Sequence, residues 1–66
     1  MLIALDGKSP QVDPSAYVHS SVHVIGNVVV GPGSSLWFGT VVRGDVHAIR
    51  IGARTNIQDN SVVHGT

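Results

Sequence analysis

The chain has 66 residues, no cysteine, and four basic against four acidic residues, which gives no net charge at pH 7. The absence of cysteine excludes disulfide bonds and a cysteine-ligated metal site, and the balanced charge gives no indication of nucleic-acid or membrane binding. A chain of this length buries only about 60% of the surface that it exposes when unfolded, so we expect it to need association or further chain for stability.

Residues 1–14 precede the repeats and are expected to form a cap over them. Leu2-Ile3-Ala4-Leu5 predicts a short strand, and the Asp6-Gly7 pair that follows predicts a turn. This N-terminus has no cationic region and only a short apolar run, unlike a signal peptide. Together with the lack of an apolar segment long enough to span a membrane, this favours a cytoplasmic protein.

From residue 15 to residue 66, the sequence repeats a unit of six residues. An aliphatic residue recurs at every sixth position, and after one offset of nine residues the same interval continues. A small or β-branched residue stands two positions before each aliphatic one, so both point to the same side of an extended strand. The remaining positions collect turn-forming residues, for example Gly31-Pro32-Gly33. We expect the aliphatic residues to fill the core: Val18, Val24, Val30, Leu36, Val42, Ile51, Ile57 and Val63.

Short strands joined by tight turns at this interval predict an all-β fold, the parallel β-helix, in which coils stack around a continuous core. The hexapeptide pattern resembles the left-handed parallel β-helix family, in which three strands form one triangular coil. The left hand follows from this resemblance alone, because the general preference for right-handed crossovers would predict the opposite. Residues 15–66 are thus expected to form a hexapeptide-repeat domain that is truncated relative to that family.

Three strands per coil determine which residues stack on one another. Val63 should lie above Val42, and the residues that follow them, His64 and Arg43, should lie in adjacent coils about 4.8 Å apart. The one break in the repeat falls within residues 43–48 and predicts a bulged corner beneath His64. Polar residues at an irregularity of a rigid scaffold are a common mark of a functional site.

The second half of the chain carries a more specific pattern. The stretch VVRGDVHAIRIGARTNIQDNSVVHGT resembles the γ-class carbonic anhydrase-like proteins of the hexapeptide-repeat superfamily. It contains their Arg-x-Asp corner, their Asn-x-Gln-Asp strand and the first of their metal-binding histidines, and the preceding SLWFGT fits the same group. The resemblance covers the whole chain, and its specificity lies in this combination, since many acyltransferases share the six-residue interval.

The resemblance implies a metal site with His64 as a ligand, most simply through a neutral imidazole to Zn²⁺, with Fe or Co as alternatives. Gln58 would be a catalytic residue that hydrogen-bonds the metal-bound hydroxide or bicarbonate, with Asn56 nearby. Such a metal lowers the pKa of its water to about 7 and creates the nucleophile for the reversible hydration of carbon dioxide. In the family the other two ligand histidines come later in the chain, so this chain is expected not to bind the metal fully.

The resemblance also implies a homotrimer whose metal site lies at the subunit interface. Arg43 and Asp45 would pair across the boundary between subunits, and Asp59 would support that boundary. Active members often carry an acidic, proton-shuttling residue directly after the Arg-x-Asp corner, where this chain has Val46.

Two other functions remain open. A hexapeptide-repeat acyltransferase acting on coenzyme A thioesters would use a histidine as a general base and would not need the Arg-x-Asp and Asn-x-Gln-Asp set. A β-helix that serves only as an assembly module would need no catalytic site. Within the chain, His47 in the bulge is an alternative metal ligand, whereas His19 and His23 lie on predicted strands and are expected to face solvent.

Overall fold

The computed structural model describes residues 1–65 and consists of short β-strands joined by turns. No part of this range is helical, and so it holds no helix long and apolar enough to cross a membrane. The all-β prediction is confirmed. The strands are β1 (Leu2–Ile3), β2 (Gln11–Val12), β3 (Tyr17–Val18), β4 (His23–Val30), β5 (Ser35–Leu36), β6 (Val41–Ile51), β7 (Asn56–Ile57) and β8 (Val62–His64).

All strand pairs are parallel, and the strands form the three sides of a coil. One sheet has the order β1-β4-β6-β8, with β2 also paired to β4, and a second sheet has the order β3-β5-β7. β4 and β6 are long because each continues around a corner of the coil. At this corner, from Gly26 to Val28 of β4, the pairing register of the two strands shifts. The chain therefore winds through about three stacked coils, as a parallel β-helix does.

The register confirms the stacking that the repeat predicts. Val42 pairs with Val63, and Arg43 pairs with His64. The first half of β4 pairs with residues of β6 that lie 18 positions later, whereas its second half pairs with residues 21 positions later. The additional residues lie in the corner 44–48, so the predicted bulge is also confirmed.

The core is a column of aliphatic side chains between the three sides. Of the predicted core residues, Val24, Val30, Leu36, Val42 and Ile51 are buried. The others are only partly buried because they lie in the lowest and highest coils, where no further coil covers them within residues 1–65: Val18, Ile57 and Val63.

Two buried hydroxyl groups tie neighbouring coils together inside the corners. Ser34 Oγ donates to the carbonyl oxygen of Gly52 at 2.6 Å and accepts from the N–H of Thr55 at 3.1 Å. Thr40 Oγ1 donates to the carbonyl oxygen of Gln58 at 2.8 Å. Because both hydroxyls are paired, small polar residues are tolerated at positions that are otherwise apolar.

The N-terminal strand and turn are present as predicted, and the strand joins the large sheet. Leu2 pairs in parallel with Val24, so β1 lies beneath β4. The chain then turns at Asp6 and Gly7, which have positive φ angles of 52° and 75°, and a two-way hydrogen-bonded bridge between Leu5 and Lys8 closes the turn. Positive φ at both central residues explains why an Asp-Gly pair stands here.

Candidate metal-ligand site at the bulged corner

Within β6, the residues that follow Val42 form the bulged corner, and they lie alternately on the outer and the inner side of the coil. Arg43 and Asp45 are exposed, whereas Gly44 between them is buried. A Cβ added at Gly44 would lie 2.4 Å from the carbonyl oxygen of Asn27 in the coil below, closer than any side chain permits. Glycine is therefore required for the close approach of the two coils, and that approach directs the two flanking charged side chains outward.

Arg43, Asp45 and His64 form a contact triangle on the outer surface of this corner. His64 Nε2 lies 2.9 Å from Asp45 Oδ1, and Arg43 Nη2 lies 3.1 Å from the same ring nitrogen. Arg43 Nη2 also lies 3.4 Å from Asp45 Oδ2. The register confirms the predicted stacking of His64 on Arg43. Arg43 and Asp45 contact each other within one chain, and their expected pairing across a subunit boundary stays a prediction.

The backbone of the corner fixes the Asp45 carboxylate. Val46 N–H donates to Asp45 Oδ1 at 2.8 Å, and this bond is the main reason that the pKa of the Asp45 carboxyl lies below its ordinary value. The hydrogen bond from His64 and the charge of Arg43 lower the pKa further, while partial burial opposes them. Asp45 is consequently an anion at neutral pH and can act only as a hydrogen-bond acceptor.

Asn56, Gln58 and Asp59 lie in and just after β7, on another side of the coil from this triangle. All three are exposed, and within residues 1–65 no hydrogen bond connects their side chains to His64. The backbone at Gln58 is held by the buried hydroxyl of Thr40. The catalytic roles expected of Asn56 and Gln58, and the interface role of Asp59, therefore stay predictions.

The residues that the structure describes contain no group of three His, Cys, Asp or Glu side chains placed to hold a metal ion. They do fit one ligand position of such a site. His64 presents an imidazole whose Nε2 contacts a carboxylate, the arrangement that commonly orients metal-binding histidines in proteins. Its Nδ1 makes no hydrogen bond within residues 1–65.

A groove of about 270 Å³ separates the N-terminal turn from the corner, and the sequence did not predict it. Asp6 and Lys8 line one wall, and Asp45, Val46 and His47 line the other. The two walls meet because β1 pairs with β4, a pairing that no hexapeptide interval indicates. The Asp6-Gly7 turn is the only sequence signal at this place, and it does not specify a neighbour.

The aromatic residues of the chain gather on the outer surface of the β3-β5-β7 sheet. The rings of Tyr17 and Trp37 are 4.9 Å apart, and those of His19 and Phe38 are 4.3 Å apart in a perpendicular arrangement. Tyr17 and Phe38 are about half exposed. This cluster lies on a different sheet from the Arg43–Asp45–His64 triangle and stabilises the stack of coils from outside.

Known proteins resemble the chain in sequence and in structure, although no protein-family profile matches it. It is 56% identical over 57 residues to "Gamma carbonic anhydrase 1, mitochondrial" of Arabidopsis thaliana, covering 86% of the chain and 21% of that protein. It is 48% identical over 64 residues to "Carbonic anhydrase" of Geobacillus kaustophilus, covering 97% of the chain and 35% of that protein. The chain thus spans between one fifth and about one third of the length of these relatives.

Solved structures share the fold. A hexapeptide transferase family protein from Anaplasma phagocytophilum superposes with a TM-score of 0.91 at 48% identity, over 92% of the chain and 37% of that protein. A Bacillus cereus protein described as an acetyltransferase superposes with a TM-score of 0.90 at 41% identity, over 92% of the chain and 36% of that protein. These likenesses confirm the predicted left-handed parallel β-helix with hexapeptide repeats.

Proposed function

Since the chain is a γ-carbonic anhydrase-like hexapeptide-repeat protein, we propose that it takes part in the metal-dependent, reversible hydration of carbon dioxide. The observation that carries the proposal is the placement of His64 directly above Arg43 at the bulged corner, in contact with Asp45. The relatives named carbonic anhydrase are longer than this chain. The proposal therefore concerns the part of the site that residues 1–65 contain.

His64 is the residue of this chain that holds the metal, for which we propose Zn²⁺ and test Fe²⁺ and Co²⁺ alongside it. A metal with an open coordination position supplies hydroxide at neutral pH, because it lowers the pKa of bound water to about 7. Asp45 orients the His64 ring, and Arg43 holds the Asp45 carboxylate. Within one chain Gln58 and Asn56 lie on another side of the coil from His64. Their exposed amides would therefore bind bicarbonate through hydrogen bonds at a site between subunits.

We further propose that the chain functions as a homotrimer in the cytoplasm, with the metal site between subunits. The exposure of the corner supports this proposal. Arg43 and Asp45 keep 45% and 31% of their side-chain surface exposed, and the neighbouring Val46 is 68% exposed. An apolar side chain beside a charged pair is a suitable surface for a second subunit, with Asp59 as an additional contact.

A chimera tests the hydration activity of this site. Residues 1–65 would replace the aligned segment of the Geobacillus kaustophilus protein, to which the chain is 48% identical, and carbon dioxide hydration would be measured by stopped flow. We expect the chimera to be active and His64→Ala to lose at least about 100-fold in kcat/KM, since a metal ligand is removed. His23→Ala is the matched control, because His23 is an exposed histidine of the same sheet, two coils below the top.

Two results would contradict the proposal. A chimera that is active with and without His64 would show that this histidine holds no catalytic metal. Equal losses in His64→Ala and His23→Ala would show that the effect arises from the fold of the sheet. Gln58→Ala should lower kcat without removing the metal, which separates its role from that of His64.

A second candidate function rests on the likeness to the Bacillus cereus protein described as an acetyltransferase. An acyltransferase of this fold would bind acetyl-coenzyme A and use an imidazole as a general base. Calorimetric titration of the chain with acetyl-coenzyme A distinguishes the two functions. Micromolar binding that is independent of zinc would favour acyl transfer, whereas the absence of binding favours the hydration site.

A further inference from the structure

Two corners of the lowest coil are closed by the same pattern of hydrogen bonds. At residues 13–16, the Asp13 carboxylate accepts from the N–H of Ser15 at 2.9 Å and from its hydroxyl at 2.7 Å. The Ser15 hydroxyl oxygen in turn accepts from the N–H of Gly33 in the next coil at 2.9 Å. The side chain of Asp13 thus fixes the hydroxyl group that connects the two coils.

The corner at residues 19–22, the His19 corner, repeats this pattern with an imidazole in place of the carboxylate. His19 Nδ1 accepts from the N–H of Ser21 at 3.1 Å and lies 2.8 Å from the Ser21 hydroxyl oxygen. That oxygen accepts from the N–H of Gly39 in the next coil at 3.0 Å. A backbone bond from the N–H of Val22 to the carbonyl oxygen of His19 at 2.9 Å closes the turn. The two corners therefore differ in the chemistry of one acceptor.

The two acceptors respond differently to pH. A carboxylate accepts hydrogen bonds down to about pH 4, and the bonds from Ser15 hold the pKa of the Asp13 carboxyl below its ordinary value. An imidazole accepts through Nδ1 only while the ring is neutral, because both nitrogens of imidazolium are donors. The Ser21 hydroxyl oxygen can accept the new hydrogen, but the Ser21 N–H would then face a donor and lose its acceptor. Protonation of His19 is therefore incompatible with the closed corner.

The groups around His19 do not compensate for a positive charge on its ring. The Tyr17 ring lies 6.5 Å away between centroids, and Phe38 from β5 contacts the imidazole edge-on with 4.3 Å between centroids. Met1, which carries the N-terminal ammonium group, lines the same recess beneath the coil. The carboxylate that follows β7, Asp59, forms no ion pair with the ring. A protonated His19 thus has no anionic partner within ion-pair distance in residues 1–65.

We propose that the His19 corner is a pH-sensitive switch in the fold: it is closed while the imidazole is neutral and opens when the ring takes up a proton. Opening releases the Ser21 hydroxyl from the N–H of Gly39, which follows directly after the aromatic pair Trp37-Phe38. The aromatic surface of the β3-β5-β7 sheet then loses a connection to the coil below. The stabilisation from this corner is present at neutral and higher pH, and it is lost as the pH falls through the range in which histidine is protonated.

Amide hydrogen exchange measured by nuclear magnetic resonance tests the switch, because Gly33 and Gly39 make equivalent hydrogen bonds at the two corners. The chain would be studied at about millimolar concentration, since mass action then favours any associated, folded state. The ratio of the Gly39 rate to the Gly33 rate would be compared at about pH 7.5 and about pH 5, on either side of the ordinary histidine titration. We expect this ratio to rise at least about fivefold at the lower pH, which corresponds to the net strength of one typical hydrogen bond.

Two substitutions at His19 should remove the pH response. His19→Asp converts the corner to the Asp13 type and should keep the ratio constant, since a carboxylate still accepts at about pH 5. His19→Asn should do the same without a charge, because its amide oxygen can accept from the N–H of Ser21 and does not titrate. His23→Asp is the matched control: it makes the same change at an exposed histidine four residues away and should leave the rise intact.

Three results would overturn the inference. The first is a ratio of exchange rates that stays the same at both pH values in the unsubstituted chain. The second is a rise that persists in His19→Asp and His19→Asn, and the third is a rise that disappears in His23→Asp. In the last two cases the response would come from a group other than His19.

Discussion

Asp13 closes a corner of the lowest coil with its side chain. Its carboxylate accepts from the N–H of Ser15 at 2.9 Å and from the hydroxyl of Ser15 at 2.7 Å. These bonds, the backbone one first, lower the pKa of the Asp13 carboxyl below its ordinary value. Its stabilising contribution is therefore complete above the unfolded-state pKa of about 3.9 and is lost as the pH falls through the lower folded-state pKa.

We predict that Asp13→Asn makes the stability of the chain less dependent on pH below about pH 4, because the amide cannot be protonated in this range. Urea denaturation between pH 2.5 and pH 6 would measure the effect (about the range in which Asp titrates). The turn itself should survive, since Asn forms the same local hydrogen bonds. Parallel curves for the two proteins over this range would exclude Asp13 as a source of acid sensitivity.

Val46 occupies the position at which the γ-carbonic anhydrase-like family often carries an acidic residue, and its side chain is 68% exposed. We predict that Val46→Glu in the chimera described above raises kcat by about tenfold or more in dilute buffer, because a positioned carboxylate can transfer the proton released by hydration. Val62→Glu is the matched control, as Val62 is 71% exposed on the adjacent strand. Equal values of kcat for the two variants would show that a carboxylate at position 46 does not transfer the proton.

The bulged corner of β6 depends on Gly44. The carbonyl oxygen that a Cβ at this position would meet at 2.4 Å belongs to the backbone of Asn27, which cannot move aside as a flexible side chain can. We predict that Gly44→Ala lowers the free energy of unfolding by about 1–3 kcal/mol through overpacking. Gly52→Ala should change it by less than about 0.5 kcal/mol, because its Cβ would meet only Thr55 Oγ1 at 3.8 Å. Chemical denaturation of both variants checks this, and equal losses would contradict it.

The sequence predicted the strands and their stacking well because a β-strand alternates its side chains. A register error of one residue would turn Val63 outward and His64 into the core, so the aliphatic interval alone was sufficient to place His64 above Arg43. The orientation of Asp45 toward His64 was not predictable in the same way. It depends on the irregular backbone of residues 44–48, which follows no period.

Two further features also lay beyond the sequence pattern. The pairing of β1 with β4 depends on a long-range contact at Leu2, for which the N-terminal residues carry no repeat signal. The repeat identifies Thr40 only as a small, β-branched residue. In the structure its hydroxyl donates a hydrogen bond to the carbonyl oxygen of Gln58 in the next coil. Tertiary contacts of this kind decide which atoms meet, and a local pattern does not contain them.

Within residues 1–65 the stack of coils is open at both ends. At one end Ile57 and Val63 are only partly buried, and at the other Val12 and Val18 line a recess of about 290 Å³. β7 and β8 are the last strands of their sheets within residues 1–65, and each leaves one edge without a paired strand. We predict that the chain associates, as a trimer through the corner of Arg43 and Asp45, and that a monomer is not stably folded.

Sedimentation equilibrium combined with thermal unfolding at several protein concentrations tests this prediction. A trimer should melt at a temperature that rises with concentration, because association stabilises the folded state by mass action. Asp45→Arg should lower the association constant by placing like charges beside Arg43. Asp13→Arg, outside the corner, should leave the association constant unchanged even though it loses the bonds to Ser15. A sharply melting monomer with a concentration-independent transition would show that this β-helix is stable alone.

We expect His64 to be one ligand of a metal site that residues 1–65 do not complete, and the amount of zinc bound per chain measures this. Zinc would be quantified after gel filtration in the short chain, in the chimera, and in the His64→Ala and His23→Ala forms of each. We expect clearly less than one zinc per short chain, one per chimera chain, loss of that zinc in His64→Ala and its retention in His23→Ala. Stoichiometric zinc in the short chain that disappears in His64→Ala would show instead that a group such as His47 completes the site within this chain.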